Sequence, residues 1–250
     1  NDWSKPKAPG QLLNTNFSEY CVGSSATGND IFIFNDNDAY DNEVLYASKK
    51  STVKTFPKTE RIFNFLQIDE FVYAAAMSGD QKTIVFSIKR SKTTTGKDLY
   101  IMHKNADQSW GTPEKLPAHI NTAFDETFPV LSEDGQTLYF SSNGHPSIGD
   151  FDIYTTTWDT IKKDWSKPRN LGYPINTPTD EWMISFVANG RYAYMSRTEE
   201  NGIGERDICM ITFQDIPAIP VQVSGSIVDQ NNINIFITDK KALYLNNPGK

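Results

Sequence analysis

The stretch Leu131-Ser132-Glu133-Asp134-Gly135-Gln136-Thr137-Leu138-Tyr139-Phe140-Ser141-Ser142 decides the fold. With Phe128-Pro129-Val130 before it, it reads as a β-hairpin: a short apolar strand, an Asp-Gly turn supplying the residue most tolerant of positive φ, and a second strand rich in aromatic and β-branched residues. A third strand follows at Asp152-Ile153-Tyr154, and then the phrase Trp165-Ser166-Lys167-Pro168.

This text recurs. Trp3, Phe56, Trp110 and Trp165 are 53, 54 and 55 residues apart, and three of them open the related phrases Trp3-Ser4-Lys5-Pro6, Trp110-Gly111-Thr112-Pro113 and Trp165-Ser166-Lys167-Pro168. After each phrase comes an Asn-Thr pair with a Glu five residues beyond the Asn: Asn14-Thr15 with Glu19, Asn121-Thr122 with Glu126, Asn176-Thr177 with Glu181. Hairpin equivalents fall at Ser78-Gly79-Asp80 with Ile84-Val85-Phe86, at Asn189-Gly190 with Ala193-Tyr194-Met195, and at Gly28 with Ile31-Phe32-Ile33. Third strands fall at Val44-Leu45-Tyr46, Asp98-Leu99-Tyr100 and Asp207-Ile208-Cys209. The second unit departs most from the pattern, with Gln81 where Gly is expected, so its hairpin is expected to differ. Four strands per unit are too few to bury both sheet faces, so each unit must pack on its neighbours. The expectation is all-β: a β-propeller of four-stranded blades, with four repeats and room for a further blade. A β-sandwich is the competing all-β architecture, but it does not predict register-locked repetition.

The segment from Leu131 to Ser142, followed by Asp152-Ile153-Tyr154, Asn170-Leu171-Gly172, Ile175-Asn176-Thr177 and Asp180-Glu181, resembles the WD40-like propeller repeats called PD40. These are the repeats of TolB-type proteins and of periplasmic OmpA-family proteins of Bacteroidota. The likeness spans about residues 3–213. It implies neighbouring domains that anchor the propeller to peptidoglycan or the outer membrane, and a PorE-like branch of the family belongs to the type IX secretion apparatus. The propeller is assigned to residues 1–215. Pro217 and Pro220 mark a linker, and residues 216–250 read as a β-rich tail whose segment from Val221 to Asp229 resembles the start of a carboxypeptidase-regulatory-like domain. Strands at Ile233 to Thr238 and Ala242 to Leu245 could instead add to the ring.

Composition sets the outer limits. In 250 residues, 38% hydrophobic and 12% aromatic content supplies a core that a disordered chain lacks, and no apolar run reaches the roughly 18 residues of a membrane-crossing helix. A net charge of −7, with 24 basic residues against 31 acidic ones and no dense basic run, argues against nucleic acid, whose phosphates are bound mainly by Lys and Arg. Cys21 and Cys209 are too few for a disulfide framework, stand in no metal-ligand spacing, and leave the redox compartment open. Opening on Asn1-Asp2-Trp3, without an initiator Met or signal segment, the chain reads as a portion of something longer.

Candidate sites are few. Glu19, Glu126 and Glu181, with Glu70 as an irregular fourth, are expected near the starts of the inner strands. There they would either ring a channel mouth and bind a cation or basic partner, or accept hydrogen bonds from a neighbouring blade's backbone. Asp36, Asp38, Asp41 and Glu43 form the densest set of oxygen ligands and a weak Ca²⁺ candidate, lacking the Gly that an EF-hand-like loop requires. His103, His119 and His145 show no zinc pattern, and no nucleophile elbow or phosphate loop is present; Gly202-Ile203-Gly204 lies between strands rather than before a helix. Trp158 and Trp182 fall outside the aromatic register and are read as core filling before partner contact. Cys209, at the repeated Tyr position, is read as a small buried residue. The function expected is a non-enzymatic interaction or scaffold propeller of the periplasm, associated with the outer membrane. It would need no cofactor, and its partners would be other envelope proteins. The alternative is a glycan-binding or glycoside-processing propeller, with Glu126, Glu181 and Trp182 at the channel and, for a glycosidase, two carboxylates about 5 to 10 Å apart.

Overall fold

The computed structural model describes residues 5, 13, 18–36, 43–63, 70–90, 95–187, 190–198 and 206–213. The chain divides into two units, residues 1–214 and 215–250; the second, with the expected linker and tail strands, lies outside the described residues.

Among the described residues, sixteen strands form four antiparallel sheets, the blades of a β-propeller. Blade 1 contains β1 (Ser18–Ser24), β2 (Asp30–Asp36), β3 (Glu43–Ser48) and β4 (Glu60–Arg61). Blade 2 contains β5 (Phe71–Met77), β6 (Thr83–Lys89), β7 (Asp98–His103) and β8 (Glu114–Lys115). Blade 3 contains β9 (Glu126–Leu131), β10 (Thr137–Ser142), β11 (Asp152–Asp159), β12 (Asp164–Trp165) and β13 (Arg169–Asn170), the last two both pairing with β11. Blade 4 contains β14 (Ile184–Val187), β15 (Tyr192–Arg197) and β16 (Asp207–Thr212). Each is a meander in sequence order.

The hairpin turns follow from local chemistry. Gly135 takes φ +69° and donates its N–H to the Ser132 carbonyl. The Asp134 carboxylate accepts from the Ser132 hydroxyl and the Gln136 N–H. The expectation that the second unit's hairpin differs is corrected: Gln81 adopts φ +60°, its N–H bonds the Ser78 carbonyl, and Asp80 takes the role of Asp134. A non-glycine residue in this conformation is strained, and Gln81 has a compensating tie. Its Nε2 donates to Asp30 Oδ1 (2.8 Å) and Ser48 Oγ (3.2 Å) of blade 1.

A parallel bridge from Ser25 to Met77 and a hydrogen bond from the Gly79 N–H to the Glu133 carbonyl set the inner strands side by side, with the hairpin turns of blades 1 to 3 at one end of the propeller, the lower end. The inner and third strands all begin at the opposite, upper end. Approach between β1 and β5 is close: a Cβ on Gly23 would sit 1.5 Å from the Ala75 carbonyl oxygen.

The core lies between blades. Val85, Leu99 and Ile101 of blade 2 pack on Leu138, Phe140 and Tyr154 of blade 3, and Tyr139 and Ile153 of blade 3 pack on Ala193, Met195, Cys209 and Ile211 of blade 4. Gly28 and Gln81 close equivalent turns 53 residues apart, so Phe32 corresponds to Val85 and, through the strand pairing, Tyr46 to Ile101; all four face forward, onto the following blade. Blade 1 thus keeps the side-chain phase of blades 2 and 3, and its backward face, Ile31, Ile33 and Ala47, is covered by Leu13 and Phe56.

Candidate functional site

The inner strands of blades 1 to 3 are each interrupted by an irregularity in register, between Cys21 and Gly23, between Val72 and Ala74, and between Thr127 and Val130. A bulge re-aims the side chain of the extra residue. Tyr73 and Phe128 occupy two of these positions, Phe128 at φ +46°, and Met183 stands 55 residues beyond Phe128. Beside them at the upper end, the loops before β9 and β14 carry Phe124 and Trp182. Phe124 is 57% exposed, Met183 42%, Trp182 41% and Tyr73 36%.

These side chains rest on an ordered base. Lys97 and Arg206 occupy equivalent positions just before their third strands, with Phe151 between them in the repeat. Lys97 lies 4.9 Å over the Tyr73 ring and pairs with Asp125; Arg206 lies 4.4 Å over Trp182 and pairs with Asp180 at 3.8 Å. The Lys97 N–H donates to Asp125 and the Phe151 N–H to Asp180, while the Glu126 and Glu181 N–H groups donate back to the Lys97 and Phe151 carbonyls. Trp182 is held further by Phe128, stacked at 6.3 Å, and by the edge of Phe151 at 6.0 Å.

Glu126 and Glu181 have no exposed surface. Glu126 accepts from the Thr122 N–H (2.8 Å), the Thr122 hydroxyl (2.7 Å) and the Ser142 hydroxyl (2.7 Å). Glu181 accepts from the Thr177 N–H (2.9 Å) and hydroxyl (2.5 Å) and from the Thr179 hydroxyl (3.4 Å). These donors belong to each glutamate's own blade and its entering loop, which corrects the expectation that a neighbouring blade's backbone supplies them. Burial pushes both carboxyls above their ordinary pKa, outweighing the hydrogen bonds, with Asp98 adding to the rise at Glu126 and Asp152 at Glu181. The link between blades is made by the asparagine of the Asn-Thr pair. Asn176 accepts from the Ile153 N–H at 2.8 Å and donates to the Ile153 carbonyl at 2.9 Å, and Asn121 does the same to Leu99. The repeated Asn was visible in the sequence; its partner was not, because nothing in a strand marks the one peptide that a side chain will grip.

The other candidates are dispersed. Glu19 is half-buried in β1, and Glu70 pairs with Arg90 at 3.5 Å. Asp36 and Glu43 lie on β2 and β3, but Asp38 and Asp41 fall outside the described residues, as do Trp3, Asn14, Thr15, Asn189 and Gly202-Ile203-Gly204. Among the described residues no three His, Cys, Asp or Glu side chains converge to hold a metal. His119 and His145 lie near one another and each bonds a backbone carbonyl, while His103 meets Thr83 elsewhere. Trp158 packs on the edge of Trp165 at 5.6 Å, whereas Trp182 is not core filling, since the loop before β14 carries it to the rim. Cys209 is partly buried against the cluster between blades 3 and 4, Cys21 is exposed, and neither forms a disulfide.

The fold defines a β-propeller of small antiparallel blades. Solved structures similar to it include a putative TolB from Agrobacterium tumefaciens, 15% identical with a TM-score of 0.44 over 81% of this chain and 61% of that one. TolB from Acinetobacter baumannii is 15% identical with a TM-score of 0.45 over 80% and 53%, and a levansucrase mutant from B. megaterium is 11% identical with a TM-score of 0.48 over 78% and 65%. The chain therefore spans about three-fifths and about half the length of the two TolB structures. No family model matches the chain, and no curated protein sequence matches it.

Proposed function

We propose that this chain is a non-enzymatic protein-interaction propeller of the bacterial envelope, docking its partner on the upper rim around Trp182. The observation that carries the reading is the exposure of Phe124, Trp182, Met183 and Tyr73 together at one end, over a base of paired charges. Aromatic and methionine side chains are enriched at the centres of protein interfaces, and rings already held by stacking lose little rotamer freedom when a partner covers them. The glutamates support a binding role over hydrolysis: each is enclosed and engaged by its own loop, whereas a glycosidase needs two carboxyls open to substrate. A periplasmic, outer-membrane-associated location rests on the resemblance to PD40 repeats, and no helix among the described residues is long and apolar enough to cross a membrane.

The test compares proteins captured from envelope extract by the full chain and by its Trp182→Ala and Phe124→Ser variants. The reading expects a specific partner retained by the parent chain and lost by both variants. An identical captured set for all three would refute it.

A further inference from the structure

The lower end carries a different chemistry. Its outer loops join each third strand to the next short strand. In blade 1 this loop, residues 49–59, turns through a hydrogen bond from the Val53 N–H to the Lys50 carbonyl and exposes Val53 to 44%. Lys50, Lys54 and Lys58 are exposed around it, and the loop holds no acidic residue. Lys49 is occupied, lying 5.3 Å over Phe56 and donating to Asn29 Oδ1, as its repeat equivalent Lys104 lies over Trp110. In blade 3 the loop after β11 exposes Ile161 to 92%, the most exposed large apolar side chain among the described residues, directly before Lys162 and Lys163. Lys162 pairs with Asp159 at 3.3 Å, while Lys163, at φ +54°, and Lys167 are exposed beyond it. The parallel inner strands bring the two loops to the same end.

Two aliphatic tips, each flanked by lysines, on a chain of net charge −7 amount to a local reversal of sign. From this arrangement we infer that the lower end seats the propeller on an anionic lipid surface, with Ile161 and Val53 entering the interface and Lys50, Lys54, Lys58, Lys163 and Lys167 meeting headgroup phosphates. A lysine cluster draws a protein to such a surface, and a few buried apolar groups hold it there. The 49–59 loop holds no acidic residue, and in the blade 3 loop Asp159 pairs with Lys162 and Asp164 follows Lys163; the carboxylates of Asp80, Asp107, Glu133 and Asp134 belong to other turns of blades 2 and 3. The aliphatic tips favour lipid over an acidic protein, since an ion-pairing partner has no use for a nearly naked isoleucine beside lysines. The aromatic rim lies at the other end, so this surface stands independently of the proposed interaction site.

The test is co-sedimentation of the full chain with vesicles of phosphatidylcholine alone and of phosphatidylcholine with an equal part of phosphatidylglycerol. Binding is expected to the mixed vesicles only and to fall as salt is raised. The triple variant Lys50→Gln, Lys54→Gln, Lys58→Gln should weaken it by about tenfold or more, and free glycerol phosphate should not compete. Tryptophan emission of an Ile161→Trp variant should shift to the blue on mixed vesicles. Absence of sedimentation, sedimentation unchanged by the triple variant, or unshifted Ile161→Trp emission would each overturn the inference. All the substituted side chains are solvent-exposed, so folding is preserved, and the thermal midpoints of the variants verify it.

Discussion

Asn121 brackets Leu99. Its Oδ1 accepts the Leu99 N–H at 2.7 Å and its Nδ2 returns a hydrogen bond to the Leu99 carbonyl at 3.0 Å, with a further bond to the Leu116 carbonyl at 2.9 Å. A buried asparagine thus completes the hydrogen bonding of one peptide in blade 2 while anchoring the loop that enters blade 3. Replacing Asn121 with Ala leaves buried donors and acceptors unmet, and the expected cost is about 3 kcal/mol. Urea unfolding of Asn121→Ala checks it, with Asn121→Asp expected to fall nearly as far because it keeps the acceptor and loses the donors. A loss within about 0.5 kcal/mol of the parent would mean that water replaces the bracket.

Glu126 makes stability depend on pH in an unusual direction. Burial raises its carboxyl pKa in the folded chain, so the folded state holds the proton more readily than the unfolded state does. Its contribution is therefore fully present below the ordinary carboxylate pKa and is lost as pH rises through the raised folded value. Glu126→Gln should remove this slope. Unfolding midpoints of parent and variant, followed from pH 4 to 7 as an approximate working span around the carboxylate range, should converge or diverge across the interval; a constant difference would contradict the assignment.

Close approach between loops depends on two glycines. A Cβ on Gly96 would lie 1.9 Å from the Phe124 carbonyl oxygen, and one on Gly149 would lie 2.3 Å from that of Thr179. Backbone cannot yield cheaply at such distances, so Gly96→Ala and Gly149→Ala should each cost about 2 kcal/mol or more. Gly28→Ala meets open space and bears only the strain of φ +67°, about 1 kcal/mol. Thermal unfolding of the three variants should rank them in that way.

Equivalent residues in successive blades should respond differently to truncation. Leu99 and Ile153 are 0% and 1% exposed beneath the following blade, whereas Ile208, their repeat equivalent, is 76% exposed. Ile153→Ala should cost about 3 kcal/mol through lost burial and a residual cavity, and Ile208→Ala less than about 1 kcal/mol. Denaturant unfolding measures both; a large loss at Ile208 would show that its face is covered in solution.

Much of this was legible from residue types. The repeats, the third strands and the turn at Asp134-Gly135 follow from spacing and from the few residues that tolerate positive φ; the equivalent turn at Gln81 was not legible, because Gln seldom adopts that conformation. Which side chains face which neighbouring blade was not legible. Blades buried on both faces read as nearly unbroken apolar runs, as in Ile84-Val85-Phe86-Ser87-Ile88, where five consecutive residues are buried. With little polar alternation, such a run does not say which residues look forward. The rim was partly legible: Trp182 stood out from the register, but its exposure depends on the course of the loop before β14, and irregularities at Tyr73 and Phe128 leave no compositional mark. The lower-end lysines were hidden because they belong to loops far apart in sequence.

The constant side-chain phase of blades 1 to 3 also bears on how such a chain can change by duplication. Each of these blades turns the same strand positions forward and the same ones backward, so a duplicated unit inserted between two of them meets a familiar neighbour on each side.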